Sequence, residues 1–287
     1  MKYILLTIVL LTITLTNTGS KNLGYDKNLV DIASTKYNGN KYETIMMSRK
    51  GERVKAKYFA AKDVNNNSVY QRYKQWAVGK KIILVSSGTY MDNSFSPVGI
   101  TIDNGVIVNK SLENFDGLVI VYATGGIAVS NIKDGNLSIN CDGGNKTYDV
   151  KKPYDRINFM NCAVEVGATV FQTHLLVFKN DIKVGQSNSS QTQRERRFLA
   201  ACKDENGVVH HFVINSPGNC SLYECTKRVK ELLINGKDME EVVFMINLDT
   251  GAQDVFKVYD ADGSENTLIK GTQDLSIAAN LLVYYYE

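Results

Sequence analysis

The second half of the sequence contains a short apolar run that ends abruptly in a polar loop. Residues 242–248 are apolar except for Asn247, and Asp249, Thr250 and Gly251 follow at once. An uninterrupted apolar run of this length is typical of a strand buried on both faces. We therefore predict a buried strand with Asp249 at its C-terminal end, where Gly251 permits a tight turn or the close approach of a ligand. The alternative is that Asp249 only caps the turn.

A helix is predicted immediately before this strand, over residues 221–233. Ser221 and Glu224 have the spacing of a capping box, and Gly236 is a suitable helix stop. Apolar residues that recur every three or four positions share one helical face. Here they are Leu222, Cys225, Val229, Leu232 and Leu233. The predicted unit is therefore a helix, a short loop, a buried strand and a polar loop.

The same patterns predict the remaining elements. Single strands are expected at 82–85, 118–122 and 169–178, with closing strands at 255–259, 271–277 and 281–286. Hairpins are expected from 42–47 with 54–59, from 100–102 with 106–108, and from 198–201 with 208–214. Short helices are expected at 69–78 and 158–167, and residues 65–68, 140–152 and 186–193 are expected to be polar loops or excursions. These elements predict a single α+β domain of mixed β-sheets with a few helices.

The first 20 residues have the pattern of a secretory signal peptide. Lys2 precedes an apolar run at 4–15, and the small residues Thr18 and Ser20 suit a cleavage site. The alternative is an uncleaved N-terminal anchor. No other stretch is long and apolar enough to span a membrane, so we expect an exported chain, periplasmic or secreted. Residues 21–80 are expected to supply strands and a helix that pack on a main domain of residues 81–287.

Composition narrows the classes of function. The 287 residues are 44% apolar with a net charge of +3, so no basic face argues for nucleic acid. The five cysteines are an odd number without a C-x-x-C metal spacing. We expect most of them to be small buried residues, and Cys220 and Cys225 not to face each other, although one disulfide remains open. No metal-ligand spacing or nucleotide-binding glycine motif is present, so no cofactor is expected.

Two further polar segments follow or enter predicted strands. Residues 86–90 read Ser-Ser-Gly-Thr-Tyr after the strand at 82–85, and the backbone N–H groups of such a loop can receive an anion or a sugar hydroxyl. The basic run 194–197 is usually a solvated loop. Arg197, however, enters the next strand directly, and arginine is suited to a bidentate grip on phosphate. His174 lies within the strand predicted at 169–178, where a lone histidine is more often a hydrogen-bonded core residue than a catalyst.

The order of four segments resembles the phosphodiester glycosidase family. Residues 86–90 with 96–99 are similar to the family's Asn-x-Gly-x-Phe/Tyr loop and Pro-x-Gly, and residues 172–177 are similar to its Gln-Ser/Thr-Gly-Pro-x-Leu strand. Residues 197–201 resemble its Arg-Thr-Ala-x-Gly strand, and residues 247–251 its Asn-Leu-Asp-Gly-Gly-Gly-Ser loop. The resemblance covers about residues 80–260. Ser86, His174, Phe198 and Thr250 depart from the family pattern, whereas Gly88, Gln172, Arg197, Asp249 and Gly251 keep it.

The resemblance implies hydrolysis of a sugar-1-phosphodiester or related glycosidic bond. The catalytic residues would be Asp249 for acid–base work or for holding the sugar, Arg197 for the anion, and His174 as an alternative proton shuttle. Glycosidases usually need two carboxylates, and Asp254 or Asp92 would be the second. Substrate would be bound by Ser86, Ser87, Gly88, Tyr90, Gln172, Thr173, Gly251 and Asp254. The departures motivate an alternative, a carbohydrate-binding or structural protein of the same fold without turnover, acting in an extracellular or virion assembly.

Overall fold

Three β-sheets surround one apolar core, and a helix covers the outer face of each sheet. The computed structural model describes residues 24–60, 68–141, 143–185, 194–218, 220–251 and 254–287. The predicted signal peptide at 1–20 and the polar loop at 186–193 lie outside these ranges, as do residues 65–67 and 252–253. Among the described residues, no helix has the length and apolar character needed to cross a membrane.

The strands are numbered in chain order: β1 (Val30–Tyr37), β2 (Asn40–Ser48), β3 (Val54–Phe59), β4 (Lys81–Ser86), β5 (Thr101–Asp103), β6 (Val106–Asn109), β7 (Gly117–Val121), β8 (Ile127–Asn131), β9 (Asn136–Cys141), β10 (Gly144–Asp149), β11 (Thr169–Thr173), β12 (Leu175–Phe178), β13 (Asp181–Ile182), β14 (Arg196–Lys203), β15 (Val209–Ser216), β16 (Glu241–Leu248), β17 (Phe256–Tyr259), β18 (Glu265–Lys270) and β19 (Leu281–Tyr286). The helices are α1 (Val69–Ala77), α2 (Pro153–Glu165) and α3 (Leu222–Glu231), and α3 continues as one wider turn over Leu232–Gly236.

The strand order defines the three sheets. The first sheet is β1-β2-β15-β14-β16-β12-β13, the second is β6-β5-β11-β7-β8, and the third is β18-β17-β4-β19-β3, while β9 and β10 form a separate hairpin. The pairs within these sheets are antiparallel. Strands and helices therefore form one α+β domain, as the sequence predicted.

The central core receives one face of every sheet. Leu199 and Ile246 come from the first sheet, Phe171 from the second, and Leu84 and Tyr284 from the third. The outer face of the first sheet packs on α3, that of the second on α2, and that of the third on α1. Side chains alternate along a strand, so on β14 the odd-numbered residues face the centre and the even-numbered residues face α3.

The buried strand and the helix before it are confirmed. The strand β16 ends at Leu248, and Asp249 follows directly. Ser221 is the N-cap of α3, and its side chain accepts a hydrogen bond from the Glu224 backbone N–H at 3.2 Å. The hairpin of β5 and β6 and the hairpin of β14 and β15 are also as predicted.

The predicted hairpin of 42–47 with 54–59 is wrong in its pairing, although both strands exist. The strand β2 instead pairs with β1 through the Asn38–Gly39 turn and with β15 on its other side. Both residues of that turn have positive φ, which Asn and Gly tolerate best. A short helical turn at Lys50–Glu52 then carries the chain to β3 in the third sheet. The strand β1 was not predicted.

The single strand predicted at 169–178 is two strands in different sheets. The chain leaves the second sheet after Thr173 and enters the first at Leu175, so His174 lies at the crossing. Its carbonyl oxygen accepts a hydrogen bond from the Asn247 backbone N–H at 3.1 Å. The closing strand predicted at 271–277 is likewise wrong. A short helical turn capped by Asp274 occupies Leu275–Ile277, and the strand β18 precedes it.

The cysteines depart most clearly from expectation. Cys141 and Cys162 are joined with a Cα–Cα distance of 6.0 Å, Cys220 and Cys225 are joined at 5.5 Å, and Cys202 is free and buried. Cys220 lies before the N-cap of α3 and not on the helix, so it can turn towards Cys225. The first disulfide fastens the end of β9 to α2, and the second closes the turn into α3.

We expect the two disulfides to differ in their contribution to stability. They close loops with sequence separations of 21 and 5 residues, for which loop-closure entropy gives about 3 and about 2 kcal/mol respectively. Replacing both cysteines by alanine should therefore lower the free energy of unfolding more for Cys141 and Cys162 than for Cys220 and Cys225. Urea unfolding of the two double variants measures this, and a larger loss for the second pair would contradict the assignment.

Candidate functional site

A polar cavity of about 370 Å³ opens where β14 begins and where β15 and β16 end. Strands from the first sheet, the loop after β16, and β18 with the segment after it contribute to it. The residues that line it are Lys41, Glu43, Glu195, Arg196, Arg197, Asn215, Ser216, Pro217, Thr250, Asp254, Leu268, Lys270 and Thr272. The basic side chains Lys41 and Lys270 and the acidic Glu195 are exposed, whereas Arg197 and Asp254 are buried.

Arg197 is the more deeply buried of the two adjacent arginines, Arg196 and Arg197, that line this cavity. Its Nη2 lies 2.9 Å from Asp254 Oδ1, and its Nε donates to Asn215 Oδ1 at 2.8 Å. Asn215 in turn donates through Nδ2 to Glu43 Oε2 at 3.0 Å. The guanidinium also lies over the Phe256 ring, with Cζ 3.9 Å from the ring centroid. These contacts fix the plane of the guanidinium, so its remaining N–H groups have a set direction.

One nitrogen of Arg197 is left for a ligand. Nη1 is buried and has no hydrogen-bond partner within the described part of the chain. Burial lowers the pKa of Arg197, and Asp254 opposes that effect. Arginine nevertheless keeps its charge in proteins. A buried charged donor without an acceptor is costly, and an anionic oxygen in the cavity would satisfy it.

Asp254 pairs with this cation, and Asp249 lies on the same loop without being one of the residues that line the cavity. Asp254 Oδ2 accepts from the Thr272 backbone N–H at 3.0 Å, and Asp249 Oδ1 accepts from the Gly251 backbone N–H at 2.8 Å. Burial raises the pKa of Asp249, and the charge of Asp254 adds to this; the Gly251 N–H, Arg194 and Arg197 oppose it. A carboxyl group that retains its proton closer to neutral pH is suited to act as a general acid. Asp249 is thus a carboxyl group beside the cavity with a perturbed pKa.

The loop at residues 86–90 uses most of its polar groups inside the protein. Ser86 Oγ donates to the Ser87 carbonyl at 2.8 Å, and Ser87 Oγ accepts from the Val255 backbone N–H at 3.2 Å. The backbone N–H of Gly88 donates to Asn280 Oδ1 at 2.8 Å. A Cβ on Gly88 would lie 2.8 Å from the Tyr58 ring, so only glycine fits there. These residues shape the loop behind the cavity and do not line it.

Gln172 and Thr173 are also committed to internal contacts. The fully buried Gln172 side chain donates to the carbonyl groups of Glu113 and Phe115 at 2.8 and 2.7 Å, and accepts from the Ile100 and Glu113 backbone N–H groups at 3.2 and 3.1 Å. Thr173 Oγ1 donates to the Asn247 carbonyl at 2.6 Å. The structure therefore places both residues in the framework between the second and first sheets, and not at the cavity.

Tyr90 and His174 form a separate cluster next to Asp249. The Tyr90 hydroxyl is hydrogen-bonded to Asn247 Nδ2, and the His174 ring lies 5.6 Å from the Tyr90 ring and 4.5 Å from the Phe115 ring between centroids. Burial lowers the pKa of His174, so the imidazole is neutral at pH 7. Burial raises the pKa of Tyr90, and the Asp249 charge adds to this. Neither side chain lines the cavity.

Several cavity residues, among them Glu43, Asn215 and Thr272, were not predicted from sequence, whereas Arg197 was. Glu43, Asn215 and Arg197 lie directly opposite one another across β2, β15 and β14, but they are far apart in the chain and no local pattern joins them. Asp92, the other carboxylate considered, is exposed and accepts hydrogen bonds from the Ser94 and Ser96 backbone N–H groups. Among the described ranges, no group of three or more His, Cys, Asp or Glu side chains could hold a metal ion.

The sequence matches no protein-family model and no curated protein. The structure, however, is similar to solved ones. It aligns with the zebrafish N-acetylglucosamine-1-phosphodiester alpha-N-acetylglucosaminidase catalytic domain, auto-inhibited by pro-peptide, with a TM-score of 0.50 and 13% identity over 90% of this chain and 82% of that one. The fold of this chain is similar to that of a glycosidase catalytic domain. A hypothetical protein from Synechocystis aligns with a TM-score of 0.45 and 12% identity over 90% of this chain and 62% of that one.

We expect the Arg197–Asp254 ion pair to show strong coupling. Removing one partner of a buried pair typically costs about 3–5 kcal/mol, because the other charge is left uncompensated. Arg197→Met should therefore destabilise the fold by about that much, whereas Arg197→Met with Asp254→Leu should be less destabilised than the single Arg197 variant. Chemical unfolding measures both, with Lys227→Met on the exposed face of α3 as a control. Additive effects of the two substitutions would contradict the pairing.

The raised pKa of Asp249 predicts a pH dependence of stability. A carboxyl group whose pKa is higher in the folded state contributes stability below its unfolded pKa of about 3.9 and loses it as the pH rises through the folded pKa. Asp249→Asn should thus gain stability relative to the wild-type protein as the pH rises through that window. Urea unfolding across a pH series tests this, with the exposed Asp134→Asn as the control expected to show no such trend.

Proposed function

We propose that the chain is an exported hydrolase that cleaves a sugar-1-phosphodiester, or a related glycosidic bond, of an extracellular or cell-envelope glycan. The observation that carries this proposal is the buried Arg197, whose Nη1 has no partner among the described residues, together with the buried carboxyl group of Asp249 on the neighbouring loop. The fold similarity to a glycosidase catalytic domain supports the reaction class. Export rests on the composition of residues 1–20.

The cavity suits a small, anionic and strongly polar ligand. Its volume of about 370 Å³ falls within the range of about 300–1,000 Å³ that is usual for small-molecule sites. Lys41 and Lys270 lie on its rim and favour the approach of an anion. Hydroxyl and amide groups from Thr250 and Asn215 offer partners for sugar hydroxyl groups. A sugar phosphate matches both the charge and the size of this space.

In the proposed reaction, each residue has a distinct role. A phosphate oxygen of the substrate accepts a hydrogen bond from Arg197 Nη1, which stabilises the leaving phosphate monoester as the bond from the anomeric carbon to oxygen breaks. The protonated Asp249 carboxyl group donates its proton to the leaving oxygen, and the resulting carboxylate then takes a proton from the water that adds to the anomeric carbon. Asp254 keeps Arg197 in position.

A specific observation favours a second candidate, a sugar-phosphate-binding protein without turnover. Asp254 already pairs with Nη2 of the Arg197 guanidinium. The predicted substrate-binding groups of Ser86, Ser87 and Gln172 form hydrogen bonds within the protein. A site with fewer groups free for the reacting centre can hold a ligand and still lack the positioning that catalysis needs.

The test is turnover by the purified chain of an α-N-acetylglucosamine-1-phosphodiester and a panel of aryl glycosides. Asp249→Asn should lower kcat/KM by about 100-fold or more, the scale of general acid–base catalysis, while Asp134→Asn should match the wild-type protein. If no turnover is detected but a sugar phosphate raises the melting temperature of the protein, the result would support the binding protein instead. Equal turnover by the wild-type protein and Asp249→Asn would overturn the assignment of Asp249.

A further inference from the structure

A second cavity lies at the opposite end of the first sheet. It has a volume of about 420 Å³ and is lined by Arg49, Lys50, Glu52, Gly126, Ile127, Val208, Val209 and His211. The strand β15 contributes to both cavities, Val209 to this one and Asn215 to the first. Six residues of extended strand span about 20 Å. The two cavities are therefore separate, and the proposed reaction makes no use of the second.

Arg49 lines this second cavity and carries an unsatisfied donor. The residue follows directly after β2, and its backbone is fixed by a hydrogen bond from its N–H to the Val209 carbonyl at 2.8 Å. Its side chain is half-buried, and Nη1 is fully buried without a hydrogen-bond partner in the described ranges. Folding has thus removed a guanidinium N–H group from water without supplying an acceptor, which is costly.

The wall of the cavity behind Arg49 is neutral. His211 is buried, and its Nδ1 lies 2.8 Å from the hydroxyl of Tyr284 in the central core. Burial, with the nearby Arg49 charge, lowers the pKa of His211 to about 3, so the imidazole carries no charge at neutral pH. Neither His211 nor Tyr284 therefore supplies an anion that would offset Arg49. Of the other charged residues in the lining, Lys50 is basic and Glu52 is acidic, and both are exposed.

We propose that this second cavity is a binding site for an oxyanion, either a carboxylate or a phosphate group of a small molecule, which accepts a hydrogen bond from Arg49 Nη1. Lys50 adds a second positive charge at the entrance, and a guanidinium is well suited to either oxyanion. The apolar side chains of Ile127 and Val209 leave room for a non-polar body beside the charged group. The site is distinct from the cavity that contains Arg197.

An NMR titration of the whole protein with inorganic phosphate, and separately with acetate, tests the proposal. The amide resonances of Gly126, Val208 and Val209 should shift and saturate, independently of Thr250 and Thr272, which report on the first cavity. Arg49→Gln should weaken the binding seen at the second cavity at least tenfold. The exposed Lys110→Gln removes the same charge elsewhere and should leave it unchanged.

Each outcome of the titration decides the proposal. Saturable shifts with phosphate alone assign the site to phosphate groups, and shifts with both probes assign it to oxyanions in general. Absent shifts at the second cavity with both probes would overturn the proposal. So would an equal loss of binding in Arg49→Gln and Lys110→Gln, since that result means attraction by net charge alone. These resonances report the second cavity whether or not the first one catalyses a reaction.

A stability measurement gives independent support. If Arg49 Nη1 has no acceptor until a ligand binds, Arg49→Gln should be at least as stable as the wild-type protein in anion-free buffer. The reason is that the substitution removes a buried charge without an acceptor. Saturating phosphate should raise the melting temperature of the wild-type protein. The part of that rise that comes from binding at the second cavity should be absent in Arg49→Gln. A large loss of stability for Arg49→Gln in anion-free buffer would show that Arg49 is structural, and would overturn the proposal.

Discussion

The arrangement of the first cavity depends on one buried cation, Arg197. A guanidinium removed from water must be paired and hydrogen-bonded. Here Asp254, Asn215 and the Phe256 ring meet that requirement for part of the group, and Nη1 has no partner among the described residues. Asn215 is in turn held by its hydrogen bond to Glu43. The strands β2, β15 and β14, together with the loop that reaches β17, are therefore held in register around a single charge. The same charge helps to set the electrostatic environment of Asp249.

A second constraint is the way polar side chains connect the sheets. Gln172 joins the second sheet to the segment around Glu113 and Phe115, and Asn280 holds the backbone of Gly88 and Thr89. Each of these buried amides serves two or more backbone groups that would otherwise lack partners. The polar groups of the loop at residues 86–90 are thus used in internal hydrogen bonds, and the cavity is lined by residues at and beyond the ends of other strands.

The sequence specifies the individual elements better than the contacts between them. The strand β16 and the helix α3 follow from local signals, namely an apolar run and a capped amphipathic pattern. The switch between sheets at His174 leaves no such trace, because β11 and β12 are both buried strands and only one residue, without a turn signal, separates them. The same holds for the site. Arg197, Asp249 and Asp254 stand out as charges beside apolar runs. Glu43 and Asn215 are brought together only by strand pairing, and Thr272 is held by its backbone hydrogen bond to Asp254. The pairing of Cys220 with Cys225 depended on Cys220 lying just outside the helix.

The residues that line the first cavity include Glu43 and Thr272, which are separated by most of the length of the chain. This separation determines when the cavity can form. Contacts between residues so distant in sequence carry a large loop-closure cost and form late in folding. A nascent chain that has emerged only as far as β16 contains Arg197 and Glu43 but neither Asp254 nor Thr272. Its buried cation would lack its partner, and the cavity would lack a wall. The cavity can therefore be completed only after synthesis has passed β18.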